Sequence, residues 1–522
     1  MQGKYWICVV LFGLLGCSHK QPAQPATEGT FAFVDVTVVP MDSERLLPGQ
    51  TVLVREGRIT HMGSVESVSV PAGAQRIDGR GKYLMPGLSD MHSHPGSEED
   101  LRLMLANGVT FSRVMWGTPQ ELRWRERIAR GELLGPTLFV GGPVVDGNPP
   151  YWKGSAVAST FADAERIVAE HKKAGFDFIK VYSLLSLDAY KGVAAASKQQ
   201  GIPFAGHVPG AVRLDDAAKV GQRSAEHLFG LYAWAQTEDS PYRGQGETSL
   251  NTIFGMGQYI DMTKVAQAAT LLKQGGVWSC PTLTVYEAFS APEVLEEMAK
   301  RPELRYVSPR VLKMWSPKAG FRMQTLSSEE QAAVRRGEEN RLGIVRALHE
   351  AGAPLLLGTD ANIAFVVPGF SVARELGLYV KAGLSPYEAL RAGTRGAAEF
   401  AGLLDERGTV EPNKQADLLL LEANPLENVA HVQRISGVLA KGRWFPASEL
   451  QRMLEEVAKA AAEDRIQANA PLFESVTVHR LKPRRRPPEP SQSSEGAKVV
   501  AGLGGTLSAL PSGTPMGCVV VA

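Results

Sequence analysis

GLSDMHSH, residues 87–94, is an apolar run that ends in two histidines one residue apart. Side chains two residues apart on a β-strand point to the same face. We therefore predict that His92 and His94 present two imidazoles to one side, at the C-terminal end of a strand. Neutral imidazoles suit a divalent cation. Because isolated His-x-His pairs are common on surfaces and in cores, the rest of the chain must decide whether this pair binds metal.

Seven more short apolar runs follow, and Ala-, Glu- and Lys-rich segments separate most of them. The runs are VTFSRVMW (109–116), PTLFVGGPVV (136–145), FDFIKVY (176–182), IPFAGHV (202–208), RSAEHL (223–228), VWSCPTLTV (277–285) and APLLLGTD (353–360). Gly closes the helix-like segments 161–175 and 187–201, as expected after a helix C-terminus. Eight strand–helix alternations predict an α/β fold, a (β/α)8 TIM barrel over residues 86–400.

Polar residues occupy four of these later runs. His207, His227 and Asp360 stand at or near run ends, and Lys180 lies within an otherwise apolar strand. A (β/α)8 enzyme keeps its catalytic groups at the C-terminal ends of its strands. Each residue taken singly is better explained as a satisfied polar group. Five strands carrying such residues to one mouth favour a shared site.

Lys180 needs its own explanation, because an ammonium in an apolar strand is costly unless it is paired. One explanation is a structural lysine paired with a carboxylate. The other is addition of CO₂ to the neutral amine, which gives a carbamate whose two oxygens can bridge two metals. The sequence leaves both open.

The motifs LMPGLSDMHSH, FIKVY, AGHVPG, AEHL and LLLGTDA, with the closing GTVEPNKQADLLLLEANPLENV, resemble those of the amidohydrolase superfamily. The similarity is to the branch that contains imidazolonepropionases and lysine-bridged dipeptidases and prolidases, and it covers residues 31–445.

The resemblance implies a role for each matching residue. His92 and His94 would bind a first metal with Asp360, His207 and His227 a second, and Lys180 would bridge them as a carbamate. The imidazole-rich set favours two zinc ions, with manganese, iron and cobalt as alternatives. The metals would lower the pKa of a bound water, giving a hydroxide that attacks a carbonyl. Asp360 would carry the proton from that water to the leaving amine.

The resemblance therefore implies a hydrolase of carbon–nitrogen bonds, cleaving a peptide or an N-acyl amino acid. Lys180 is followed by VYSLLSLDAY, where the dipeptidases have a Gly-rich loop, so dipeptide specificity is left open. The alternatives are a lactone, ester or phosphotriester hydrolase on the same site, and a non-catalytic metal-binding lipoprotein. The aromatic residues predicted to contact substrate are Tyr182, Tyr232, Trp116 and Tyr151.

The flanks of the barrel read differently. Residues 31–85 and 401–446 alternate short β-like runs with turns, and we expect them to form one small β-sandwich into which the barrel is inserted. Residues 447–478 are predicted to form a charged C-terminal helix, and the proline-rich residues 479–522 a disordered tail.

The N-terminus has the pattern of a signal for export to the cell envelope. Residues 1–17 combine Lys4, an apolar run of about a dozen residues and Gly16-Cys17, which resembles a bacterial lipoprotein signal peptide with Cys17 as the lipidated residue. Residues 18–30 would be a tether. We expect a protein anchored by lipid to the bacterial membrane, at the periplasmic side of the outer membrane, with a periplasmic location as the alternative.

Composition limits the partners. The 56 Lys and Arg residues nearly balance the 55 Asp and Glu residues, for a net charge of +1. This balance gives no electrostatic reason to expect nucleic acid, so we predict a small-molecule substrate and contact with a membrane through the lipid anchor. Four cysteines in 522 residues exclude a disulfide scaffold.

Overall fold

The computed structural model describes residues 29–287, 292–315 and 328–466. Cys17, the signal peptide, most of the tether and the C-terminal tail lie outside the described residues. Within those ranges, no helix combines the length and the apolar character needed to cross a bilayer.

The described residues form seventeen strands. In chain order they are β1 (Phe31–Val38), β2 (Leu47–Arg55), β3 (Arg58–Ser64), β4 (Gln75–Asp78), β5 (Tyr83–Pro86), β6 (Leu88–Ser93), β7 (Val109–Val114), β8 (Thr137–Val140), β9 (Val145–Asp146), β10 (Ala156–Val157), β11 (Ile179–Val181), β12 (Phe204–Gly206), β13 (Ser224–Glu226), β14 (Trp278–Cys280), β15 (Leu418–Leu421), β16 (Ile435–Ala440) and β17 (Arg443–Pro446).

The helices lie mainly between and after the parallel strands. They are α1 (Glu98–Ala106), α2 (Pro119–Ala129), α3 (Phe161–Ala174), α4 (Leu187–Gln200), α5 (Leu214–Lys219), α6 (Leu231–Trp234), α7 (Leu250–Met256), α8 (Met262–Gly275), α9 (Leu283–Glu287), α10 (Pro292–Met298), α11 (Pro309–Trp315), α12 (Ser328–Glu350), α13 (Phe370–Ala382), α14 (Pro386–Ala392), α15 (Arg395–Ala401) and α16 (Ala447–Ala462). Short 3₁₀ helices cover Pro302–Tyr306 and Val429–Gln433.

Local sequence explains the helix ends. Thr160 caps α3 by accepting from the backbone N–H of Asp163, and the Asp163 side chain accepts in return from the cap. Gly175 ends the helix in the left-handed conformation at φ 87°, which glycine adopts without steric cost. This confirms the helix predicted from the closing glycine.

The inner strands run parallel in two groups. One sheet has the order β6-β7-β8, and the other β10-β9-β11-β12-β13-β14. Parallel bridges join the groups at Gly141–Phe178 and carry the pairing onward at Ser279–Leu355 and Ser93–Ala361. These parallel sheets with intervening helices confirm the predicted mixed α/β fold.

The eighth predicted run, residues 353–360, makes only isolated bridges. The backbone N–H of Leu356 bonds to the Ser279 carbonyl, whereas that of Leu357 bonds to the Ala392 carbonyl. The Leu357 carbonyl accepts from the backbone N–H of Met91 in β6, but the Leu357 N–H bonds to Ala392 at the end of α14, so the pairing with β6 is interrupted and no continuous ladder forms. The run nevertheless extends between β14 and β6, the position expected of the last strand.

The N- and C-terminal segments meet in one eight-stranded sheet. Its order is β17-β16-β15-β5-β1-β2-β3, with β4 paired to β1, so that β5 of the first segment lies against β15 of the second. Phe33, Val52 and Leu420 belong to its own apolar core. The expected union of the two segments is therefore present as a single sheet. The two-layered β-sandwich is not confirmed, and the domain boundaries stay predictions.

Candidate metal centre

The strands carry the predicted site residues to a common centre. His92 lies in β6, His94 directly after it and Lys180 in β11, while His207 and His227 follow β12 and β13. His227 and Asp360 adopt left-handed backbone at φ 59° and 61°, a strained conformation that occurs often at functional sites.

Imidazoles surround the Asp360 carboxylate. The Oδ1 atom of Asp360 lies 3.2 Å from the Nε2 atom of His92 and 3.0 Å from that of His94. The ring centroids of His92 and His227 are 4.5 Å apart, and those of His207 and His227 are 5.0 Å apart. One ligand atom each of His92, His227 and Asp360 lies within 4.8 Å of the others. This spacing allows the three to share one cation.

Each of three imidazoles is held through its Nδ1 atom. His207 Nδ1 lies 2.7 Å from the Ser183 hydroxyl, and His227 Nδ1 lies 2.6 Å from the Thr282 hydroxyl. His92 Nδ1 lies 2.7 Å from Glu226 Oε2. Such partners fix the tautomer and the ring direction of metal-binding histidines. With a proton on Nδ1, the Nε2 atom of each ring keeps its lone pair for a metal.

Glu226 and Arg113 form a buried ion pair beneath His92. The Nη2 atom of Arg113 lies 2.9 Å from both Glu226 oxygens, and both side chains have no solvent exposure. Arg113 also donates to the Met91 carbonyl and to the Ser224 hydroxyl, which in turn donates to Glu226. This pair was not predicted from the sequence, although Glu226 stands inside the AEHL motif, directly before the predicted ligand His227.

Burial and neighbouring groups shift the pKa of three imidazoles and of the Asp360 carboxylate in the site. Burial lowers the pKa of His94, His207 and His227, so each is neutral at pH 7 and can donate a lone pair. Burial raises the pKa of Asp360, but its interactions with the surrounding imidazoles, including the close contacts with His92 and His94, outweigh burial and hold the pKa well below its usual value.

Lys180 lies at the centre with a side chain that is only 1% exposed. Its Nζ atom is buried and has no hydrogen-bond partner among residues 29–287, 292–315 and 328–466. Burial lowers its pKa to about 8, partly opposed by Glu226 and Asp360. The structure thus does not contain the ion pair that was one of the two sequence-based explanations of Lys180.

The aromatic residues predicted to contact substrate separate into two groups. The Tyr182 ring stacks on His207 with centroids 4.0 Å apart, and Tyr151 lies 5.8 Å from Tyr182. Tyr232 is fully buried and Trp116 is 9% exposed. Tyr182 therefore lies beside the centre with Tyr151 next to it, whereas Tyr232 and Trp116 are buried. Their contact with substrate stays a prediction.

The donor set fits a divalent cation. Neutral imidazoles and an ionised carboxylate are the ligands of hydrolytic zinc sites. The unpartnered Nζ of Lys180 and the unpartnered Nδ1 of His94 are buried polar atoms that the described protein groups leave unsatisfied. The residues present are therefore suited to a metal group at this position.

Residues 83–445 match the sequence model of the amidohydrolase family, and the chain belongs to that family. Among curated relatives, a 5-methylthioadenosine/S-adenosylhomocysteine deaminase of Symbiobacterium thermophilum is 24% identical over 414 residues, 74% of this chain and 84% of the relative. An imidazolonepropionase of Rubrobacter xylanophilus is 41% identical over 109 residues, 19% of this chain and 25% of the relative.

Two solved structures of similar fold cover most of the chain. Bottromycin amidohydrolase superposes with a TM-score of 0.67 at 26% identity, covering 85% of this chain and 94% of its own. A putative prolidase from Bifidobacterium longum gives a TM-score of 0.60 at 24% identity, covering 82% and 99%. The family match confirms the predicted amidohydrolase superfamily, and the putative prolidase shares its fold. The protein is a metal-dependent hydrolase that acts on carbon–nitrogen bonds.

Proposed function

We propose that the protein uses two divalent metal ions to cleave the amide bond of small peptides or N-acyl amino acids at the cell envelope. The observation that carries the proposal is the convergence of four histidines, Lys180 and Asp360 at the strand ends. The resemblance to a putative prolidase and to bottromycin amidohydrolase supports an amide substrate.

The residues would divide the work as follows. His92, His94 and Asp360 hold one metal, and His207 and His227 hold the other. If bound at this centre, the metals, zinc by ligand type, would supply a water of lowered pKa as nucleophile and a positive charge that polarises the scissile carbonyl. The Asp360 carboxylate accepts a proton from the attacking water and delivers it to the nitrogen of the leaving amine.

Lys180 would bridge the metals as a carbamate. Its neutral amine would add CO₂: an N–C bond forms, one C=O π bond of CO₂ opens, one proton leaves the nitrogen, and the neutral side chain becomes an anion with two oxygens. The buried, unpartnered Nζ supports this proposal, because the anion would satisfy a site that the protein leaves open. Density beyond the amine in a map of the metal-loaded protein would establish it, and density that ends at Nζ would contradict it.

A closed (β/α)8 barrel is the architecture that we propose for the inner strands. The parallel bridges between Gly141 and Phe178, Ser279 and Leu355, and Ser93 and Ala361 support a ring of eight segments. A small β-sandwich from the terminal segments remains part of the proposal.

The test is a turnover screen with the full chain, purified in detergent and loaded with zinc. Dipeptides and N-acyl amino acids are offered, amine release is measured, and Asp360→Asn serves as the control. Amine release that disappears in Asp360→Asn while most zinc remains bound supports the amide proposal. Hydrolysis of lactones, esters or phosphotriesters alone would favour that alternative, and a zinc-loaded protein without any turnover would favour the non-catalytic lipoprotein.

The envelope location is proposed from the leader alone. Lys4, the apolar run after it and Gly16-Cys17 support lipidation at Cys17. Labelled palmitate should enter the wild-type chain in a bacterial host and should not enter a Cys17→Ala variant. Equal labelling of both would refute the anchor.

A further inference from the structure

Tyr182 lies beside the candidate metal centre, between Lys180 and His207. Lys180 and Tyr182 are separated by one position at the end of β11, so their side chains point to the same side of the strand. The Nζ atom of Lys180 lies 5.9 Å from the centroid of the Tyr182 ring, which stacks on His207. Tyr182 is only partly buried, so a ligand at the centre can reach it.

The Tyr182 hydroxyl already accepts one hydrogen bond. The indole Nε1–H of Trp152 donates to it over 2.7 Å. Because the oxygen accepts from Trp152, its own O–H points elsewhere, and no hydrogen bond from it to the described residues is formed. An accepted hydrogen bond polarises the hydroxyl and makes it a better donor.

Asp146 connects the two backbone segments that carry Trp152 and Tyr182. One carboxylate oxygen of Asp146 accepts from the backbone N–H of Tyr151, and the other accepts from that of Leu184, both over 2.7 Å. Through these two bonds the buried carboxylate joins the loop that carries Trp152 to the segment that follows β11. The donor pair is thus fixed before substrate arrives.

We propose that Tyr182 is a catalytic residue whose hydroxyl donates a hydrogen bond to the scissile carbonyl oxygen as negative charge develops there, with Trp152 as its positioning residue. The inference rests on the proposed function. The proton stays on the Tyr182 oxygen, and no covalent bond forms or breaks at this residue. A preorganised donor aimed at developing charge acts mainly on the transition state, so its loss lowers kcat more than it changes KM.

The test compares Tyr182→Phe with the wild-type zinc-loaded chain on the best substrate of the turnover screen. Phenylalanine keeps the ring stacked on His207 and removes only the hydroxyl. We expect kcat to fall about 10²- to 10³-fold, KM to stay within about threefold and the zinc content to be unchanged. Trp152→Phe should lower kcat by roughly tenfold. Tyr387→Phe, a partly buried tyrosine on α14, controls for loss of a hydroxyl elsewhere.

A phosphonate analogue of the substrate separates catalysis from folding. In Tyr182→Phe its inhibition constant should rise by the factor by which kcat falls, while inhibition by the carboxylate product stays unchanged. An unchanged kcat, an unchanged phosphonate constant, or a parallel loss of kcat and zinc would each overturn the inference. A wild-type chain that cleaves nothing refutes the proposed function instead. If the wild type cleaves only esters or lactones, the same comparison is made on that bond.

Discussion

Replacing Glu226 by Gln should weaken both the fold and the metal centre. The substitution keeps the side-chain shape and removes the charge opposite Arg113, whose guanidinium lies 2.9 Å from both carboxylate oxygens with no solvent exposure. It also changes the atom that holds His92 through Nδ1. One substitution therefore perturbs the ion pair and the orientation of a predicted metal ligand together.

The magnitude follows from the burial of the pair. Removing one partner of a buried ion pair leaves an uncompensated charge and costs about 3–5 kcal/mol of folding free energy. Loss of a carboxylate that orients a metal-binding histidine lowers metal affinity about 10- to 100-fold. Glu226→Gln combined with Arg113→Met should recover much of the stability, because no unpaired charge remains, but should not recover the metal affinity.

Urea unfolding of the metal-free chains and zinc titration measure the two effects separately. Glu170→Gln is the matched control, because it breaks an ion pair of the same types, Arg166 with Glu170, at 57% and 59% exposure, where little stability is expected. The reasoning is refuted if Glu226→Gln unfolds at the same urea concentration as Glu170→Gln and binds zinc as the wild type does.

Three further perturbations test other parts of the structure. Ser183→Ala and Thr282→Ala should each lower zinc affinity about 10- to 100-fold, because each removes the hydroxyl that holds a histidine Nδ1. Zinc titration of the folded variants measures this, and an unaltered affinity contradicts the prediction. Gly358→Ala places a Cβ 2.7 Å from the backbone N of His92, so the variant should bind zinc more weakly and unfold at a lower urea concentration. A variant with wild-type zinc affinity and wild-type urea unfolding contradicts this expectation. Burial lowers the pKa of His171 from 6.5 to about 4, so below pH 6.5 the unfolded chain gains the proton first and the fold loses stability. In His171→Leu, acid titration should show a loss smaller by at most about 3 kcal/mol between pH 6.5 and 4, and identical titrations would disprove the assignment.

The sequence predicted the candidate site residues that lie in short motifs. His92-x-His94, the histidines that end two later runs and Asp360 after LLLGT were found because strand periodicity and strand ends predict where side chains point. The helix bounds at α3 and α4 were predictable because their caps are local: Gly175 and Gly201 end them in left-handed backbone.

The sequence was less informative where one backbone must bond to several neighbours. The run at 353–360 has the pattern of a strand, and the Leu357 carbonyl accepts from Met91 of β6, yet the Leu357 N–H bonds to Ala392 at the end of α14. The terminal segments have the pattern of a small β-sandwich; the structure shows their strands paired in one sheet, and a second layer stays a prediction. Local patterns predict an extended backbone, but the pairing depends on the partner that packing brings alongside.

The sequence by itself determined the amidohydrolase family, the alternation of strands and helices, and the six side chains of the candidate metal centre. Only the tertiary structure decided what holds those side chains: Glu226 comes from 134 residues after His92, Arg113 from 113 residues before Glu226, and Thr282 from 55 residues after His227. The candidate metal ligands could be predicted from the sequence because they recur at the ends of predicted strands. Their supporting contacts could not be predicted, because no local sequence pattern marks a hydroxyl or a carboxylate that will be buried. Such a group needs a hydrogen-bond partner only after folding has removed its water.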